Sequence, residues 1–119
     1  MRLNSIILAL MSALLLNMTA HAADPARFFS AIDDLPMMDS MTEVGEGMAF
    51  STSAGRIADA LASTKDGRKA ILAFYSATLP QLGWSKTAQA TFTREGEMLT
   101  LTFEVVDSLT QVQFSLKPY

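Results

Sequence analysis

The stretch Met98-Leu99-Thr100-Leu101-Thr102-Phe103-Glu104-Val105-Val106 decides the fold. Its apolar residues Leu99, Leu101, Phe103 and Val105 alternate with Thr100, Thr102 and Glu104, the period of two that gives a strand one dry and one wet face. Asp107-Ser108 reverses the chain, and Val112, Phe114 and Leu116 then alternate with Gln111, Gln113 and Ser115. Two strands with matching dry faces make an antiparallel sheet that needs an apolar cover.

The cover is predicted upstream. Lys65 to Leu82 places Ala70, Ile71, Phe74, Tyr75, Thr78, Leu79 and Leu82 along one helical stripe. Ser63 with Asp66 three residues on fits a capping box, and Gly83 sits where a left-handed C-cap belongs. Pro80 removes a ladder donor in the last turn, so the helix should tighten or kink there. Trp84 to Thr87 and Thr91 to Arg94 read as short strands, with Glu95-Gly96 as the turn into the long one.

Ahead of the helix, Met48 to Thr52 reads as a strand with Met48, Phe50 and Thr52 on one side and the smaller Ala49 and Ser51 on the other. Ser53-Ala54-Gly55 turns it into a partner, Arg56 to Ala62, where Ile57, Asp59 and Leu61 alternate weakly with Ala58, Ala60 and Ala62. The order hairpin, helix, meander predicts an α+β domain over residues 48–119, a single antiparallel sheet with one main helix packed on one face. Phe74, Tyr75, Leu79 and Trp84 should meet Leu101, Phe103, Val112 and Phe114 in its core.

Residues 1–22 read as an export signal: Arg2 supplies the positive start, Ile6 to Leu16 the apolar run, and Ala20-His21-Ala22 the small-x-small cleavage pattern. The apolar stretch Ile6 to Ala20 is shorter than the roughly 20 residues a spanning helix needs, so cleavage rather than retention as an anchor is expected. No later apolar run is long enough to span, so no stable membrane insertion is expected after cleavage. A lipoprotein would need a cysteine, and the chain has none. The expected location is the periplasm. The 97 residues left from 119 suffice for one small domain, and they contain neither histidine nor cysteine, because His21 leaves with the signal.

Residues 23–47 read as an N-terminal arm. Pro25 to Ile32 has Phe28, Phe29 and Ile32 at the spacing of a short helix, which Asp33-Asp34-Leu35-Pro36 ends. Met37 to Glu46 reads as an extended connection. Phe28, Phe29, Leu35, Met37 and Met38 give the arm more apolar surface than a free linker needs, so it either folds back over the sheet or docks on a partner as an interaction surface.

Little catalytic chemistry is left open. Without imidazole or thiol, neither a Ser-His-Asp nor a Cys-His arrangement can form, and Ser63 with Lys65 or Lys69 lacks an S-x-x-K context. Asp33, Asp34, Asp39, Glu43 and Glu46 lack the alternating spacing of a calcium loop and read as a solvated connection. Met37, Met38 and Met41, with Met48 nearby, are candidate thioether ligands for Cu(I), although methionine also serves as an unspecific gap-filler.

The net charge of −3, −4 without Arg2, argues against nucleic acid, and the basic trio Lys65, Arg68 and Lys69 suits the solvent side of a helix's first turn. Trp84 and Tyr75 suit core packing better than a binding surface. Phe114 to Tyr119 has the character of an edge strand, either open to a partner's strand or blocked by Lys117 and Pro118.

The run Ala73-Phe74-Tyr75-Ser76-Ala77-Thr78-Leu79-Pro80-Gln81-Leu82-Gly83-Trp84, followed by Phe92-Thr93-Arg94-Glu95-Gly96-Glu97, resembles a pattern in small uncharacterised exported proteins of Gram-negative, alphaproteobacterial bacteria. There a helix ending F-Y-x-x-x-L-P-x-L-G-W leads into a sheet with a charged hairpin. The likeness extends to Asp34-Leu35-Pro36-Met37 and Ala54-Gly55-Arg56-Ile57. It implies a fold and a compartment, and carries no activity, cofactor or site residue with it. The expectation is a small periplasmic, non-enzymatic binding or accessory domain with no cofactor, working with another envelope protein. A Cu(I)-binding protein and an enzyme without a recognisable motif are the alternatives.

Overall fold

Alternating hydrophobicity becomes one antiparallel sheet in the computed structural model, which describes residues 26–119. The signal reading of residues 1–22 and the first residues of the arm, 23–25, lie outside the described residues. The strands are β1 (Thr42–Glu43), β2 (Met48–Thr52), β3 (Gly55–Thr64), β4 (Ser85–Ala88), β5 (Thr91–Arg94), β6 (Glu97–Val106) and β7 (Leu109–Pro118). They run in the order β1-β3-β7-β6-β5-β4, with β2 also on β3. β1 and β2 share one edge of β3, opposite Ser63–Ala62 and Asp59–Gly55 respectively.

Register explains which side is dry. Ala58, Leu116, Leu99 and Phe92 form one row across four strands, and Ala60, Phe114 and Leu101 form the next. All seven are buried. The helix α1 (Arg68–Thr78) lies on this face and buries Ile71, Leu72 and Tyr75. The single sheet with one helix on one side is therefore the architecture that the alternation and the helical stripe specify.

The arm is the second half of the cover. Phe29, Ile32, Leu35, Met37 and Met41 belong to the same buried cluster as Tyr75 and Phe114. Phe29 lies 4.8 Å from Phe114, centroid to centroid, and Ser30 donates through N–H and hydroxyl to Glu43 on β1. Alanines at 58, 60 and 62 keep this flank of the sheet shallow, which leaves volume for the arm's large side chains. The arm folds back on its own domain.

Several local expectations are corrected. The described part of Pro25 to Ile32 is not helical: Phe28 bridges Pro36, and Phe29 N–H donates to the Leu35 carbonyl at 3.1 Å. A stretch of eight residues is too short to hold a helix alone, and tertiary pairing wins. Extended geometry also puts Phe28 outside, 48 % exposed, and Phe29 inside, 1 % exposed. The extended connection after Met37 contains the short strand β1.

The capping box does not form. Ser63 stays in β3, paired with both Thr42 and Gln111, and α1 starts after Gly67 without a side-chain cap. Asp66 instead accepts a hydrogen bond from Ser40, which itself accepts one from buried Thr64. The far end follows expectation: the backbone tightens to a 3-10 turn over Leu79–Leu82 at Pro80, and Gly83 adopts φ 91° as its left-handed cap.

Phe74 and Phe103, expected in the core, are only partly buried. Met48, Phe50 and Thr52 pair with Asp59, Ile57 and Gly55, so the large side of β2 points to the uncovered face. β7 is an interior strand between β3 and β6, and the edge role expected for Phe114 to Tyr119 falls elsewhere.

Candidate functional site

Two features stand out once the sheet and its cover are placed: a charged cluster that closes one end of the core, and an open edge at β2. The cluster follows from register. Beyond the apolar row of Ala58, Leu99 and Phe92, the next residues of the same parity are Arg56, Glu97 and Arg94, with Arg94 paired to Glu97. Asp34, from the arm, drops onto them. Arg56 donates to both Asp34 carboxylate oxygens at 3.2 Å and to Glu97, while Arg94 donates to Asp34 and, at 3.2 Å, to the Leu82 carbonyl. Arg94 also stacks on Trp84, 4.3 Å from the ring centre.

Burial pushes the Asp34 carboxyl up, but the adjoining Arg94 and Arg56 guanidinium groups more than offset it and hold it below its ordinary 3.8. The hydrogen bond from Arg56 to Glu97, against desolvation, raises the Arg56 guanidinium in turn. Because folding lowers the Asp34 value, the cluster's contribution is present above pH 3.8 and is lost as pH falls below it. Amide exchange at Phe29, Leu35 and Met37 should therefore be strongly protected at neutral pH and lose protection first under acid, before the strands β6 and β7. Equal loss in both regions would show that Asp34 does not hold the arm.

The other polar contacts also serve the arm. Arg27 donates to the carbonyls of Met38, Asp39 and Met41 at 2.9–3.0 Å, and the Tyr75 hydroxyl donates to the Pro36 carbonyl at 2.8 Å and to Met41 Sδ at 3.5 Å. Burial pushes the Tyr75 phenol well up, so it stays a donor.

These contacts decide where the sequence-predicted residues sit. Phe29, Leu35 and Met37 are buried in the domain's own core, Met38 is partly buried against it, and of these five Phe28 alone is exposed. Of the candidate copper ligands, Met37 and Met41 pack as hydrophobes, and Met48 lies on the opposite, uncovered face. Among the described residues, no three of His, Cys, Asp and Glu gather into a metal-binding group.

The edge at β2 is the second candidate site; periodicity marks Met48–Thr52 as a strand but does not show that it lies at the sheet's edge. Every residue of Met48–Thr52 is exposed, and among the described residues nothing pairs with its outer side. Met48 and Phe50 are 59 % and 51 % exposed. They adjoin half-buried Ile57 and Leu61 on the bare face, beside a depression of about 310 Å³ that Met48, Asp59, Leu61 and Gln113 line. Gly47 admits this strand: at φ +70° it passes so close to the Asp59 carbonyl and Ala31 that a Cβ would collide with both. The opposite edge, β4, is blunted by Lys86 and by a bulge between Lys86 and Ala88. β2 has no charge, no proline and no bulge.

No helix among the described residues is long and apolar enough to cross a membrane. Comparison of the chain with protein-family models, with curated proteins and with solved structures gives no match.

Proposed function

We propose that this protein is a small exported binding or accessory domain of the cell envelope, without catalytic activity, which receives an extended segment of another envelope protein along β2. The signal pattern in residues 1–22 supports the compartment. The observation that carries the binding role is the uncharged, unpaired edge of Met48–Thr52 with Met48 and Phe50 displayed beside it. An added strand gains main-chain hydrogen bonds from such an edge, and alternate side-chain contacts supply selectivity. The arm supports the same reading: its Phe29, Ile32, Leu35, Met37 and Met41 are used inside the domain, while Met48 and Phe50 of β2 stay exposed on the bare face.

A photo-crosslinking residue placed at Ser51 in the full chain, expressed in cells, should give a discrete adduct with a second protein, and one placed at Lys86 should give none. Phe50→Lys should abolish the Ser51 adduct without lowering the melting temperature, since surface substitutions of this kind usually stay within about 0.5 kcal/mol. Adducts of equal yield at both edges, or adducts indifferent to Phe50→Lys, would refute the role. An adduct at twice the chain's own mass would replace the foreign partner with a second copy.

A further inference from the structure

The helix covers the sheet unevenly. The arm fills the space on one flank of α1, through Tyr75 and its bonds to Pro36 and Met41. The other flank presents Arg68, Lys69, Leu72 and Ser76 across an open groove to Lys86 and Gln89 of the β4–β5 hairpin. The groove encloses about 490 Å³, within the range of small-molecule sites.

Its electrostatics are one-sided. Three cations line it, no carboxylate does, and among the described residues none of the three takes part in a salt bridge, although the chain as a whole carries −3. The Arg68 guanidinium lies 4.9 Å above the Phe103 ring, a contact that holds it at the groove without pairing its charge to an anion. Arg68 and Lys69 open the helix, where the macrodipole already disfavours positive charge, and no acidic residue in the first turn compensates. The acid nearest in sequence, Asp66, is engaged with Ser40. Leu72, 9 % exposed, gives the floor an apolar strip.

We propose that this groove binds an anionic group, phosphate or carboxylate, carried on a small apolar body. Arg68, Lys69 and Lys86 meet the charge, Ser76 and Gln89 offer hydrogen bonds, and Leu72 receives the apolar part. The site lies on the helix side of the sheet, away from the bare face beside β2, and does not depend on strand addition there.

Phenyl phosphate is a suitable soluble probe, and phosphatidylcholine vesicles with or without phosphatidylglycerol present the same chemistry as a lipid headgroup. In the full mature chain, phenyl phosphate should shift the amide resonances of Arg68, Lys69, Lys86 and Gln89, or phosphatidylglycerol vesicles alone should broaden them; the first result assigns a free ligand and the second a membrane headgroup. Lys69→Glu with Lys86→Glu should weaken binding by about tenfold or more without lowering the melting temperature, because both side chains are exposed and an acid suits the helix's first turn. Lys65→Glu, a cation outside the groove, should change affinity by less than about twofold. The proposal is overturned if neither probe perturbs the groove by ~10 mM phosphate ester, a dissociation constant too weak for a specific site. It is equally overturned if Lys65→Glu weakens binding as much as the double reversal does.

Discussion

Phe114→Ala should destabilise the domain by roughly 3–5 kcal/mol, the range for deleting a fully buried aromatic ring. Phe114 is 0 % exposed and stands where the two covers meet, 4.8 Å from Phe29 of the arm and 5.1 Å from Tyr75 of the helix. Its loss opens a cavity that rigid strands on both sides cannot close. With total stabilities of small domains at about 5–15 kcal/mol, the variant should be largely unfolded at modest urea. Phe74→Ala is the informative contrast. Helical spacing puts Phe74 on the same stripe as Tyr75, yet it is only partly buried, edge-on to Tyr75 at 4.9 Å, and should cost about 1–2 kcal/mol. Urea midpoints of the two variants test the ranking, and similar losses would mean that the ring at position 74 carries as much of the core as that at 114.

Arg94→Met should be the most damaging change of a charged residue, at about 2–3 kcal/mol. Breaking a buried ion pair costs roughly 3–5 kcal/mol and an exposed one below about 1. Arg94 is 17 % exposed but its partner Asp34 is 39 % exposed, so solvent takes up part of the loss. Methionine keeps an apolar stem over Trp84 but removes the bonds to Asp34 and to the Leu82 carbonyl, the ion pair with Glu97 at 3.6 Å and the cation–π contact. A double-mutant cycle with Asp34→Asn isolates the pair. A coupling near zero would reduce the cluster to surface decoration, whereas a positive coupling ties the arm to the hairpin energetically.

The strands β6 and β7 are legible because a period of two over ten residues, with turn residues between, has no competing interpretation. The helix is legible for the same kind of reason, down to its tightening at Pro80 and its cap at Gly83. What local patterns hide is competition from distant partners. Ser63 has the chemistry of a helix cap, but strands on both sides of it hold it in the sheet. Phe28, Phe29 and Ile32 have helical spacing, but pairing with Pro36 and burial against Phe114 decide otherwise. Nor can alternation say which face of a sheet is covered: it puts Met48 and Phe50 on one side of β2, and only the register with β3 shows that this is the uncovered side.

The charged cluster illustrates the same limit from the other direction. Asp34, Arg56, Arg94 and Glu97 are scattered over sixty-odd positions and share no local motif. The sheet register aligns Arg56, Glu97 and Arg94, and the fold of the arm brings Asp34 onto them, so only the tertiary structure assembles the cluster.

The contact between Phe29 and Phe114 also sets the order of events when the chain is made. The helix and the strands β1 to β6 must all emerge from the ribosome before the arm can find β7. No partial product contains a finished interior, and such end-to-end dependence lengthens the search for the native state. A chain built this way keeps its interior open until β7 is made, and a copy truncated before β7 lacks the wall against which Phe29 packs.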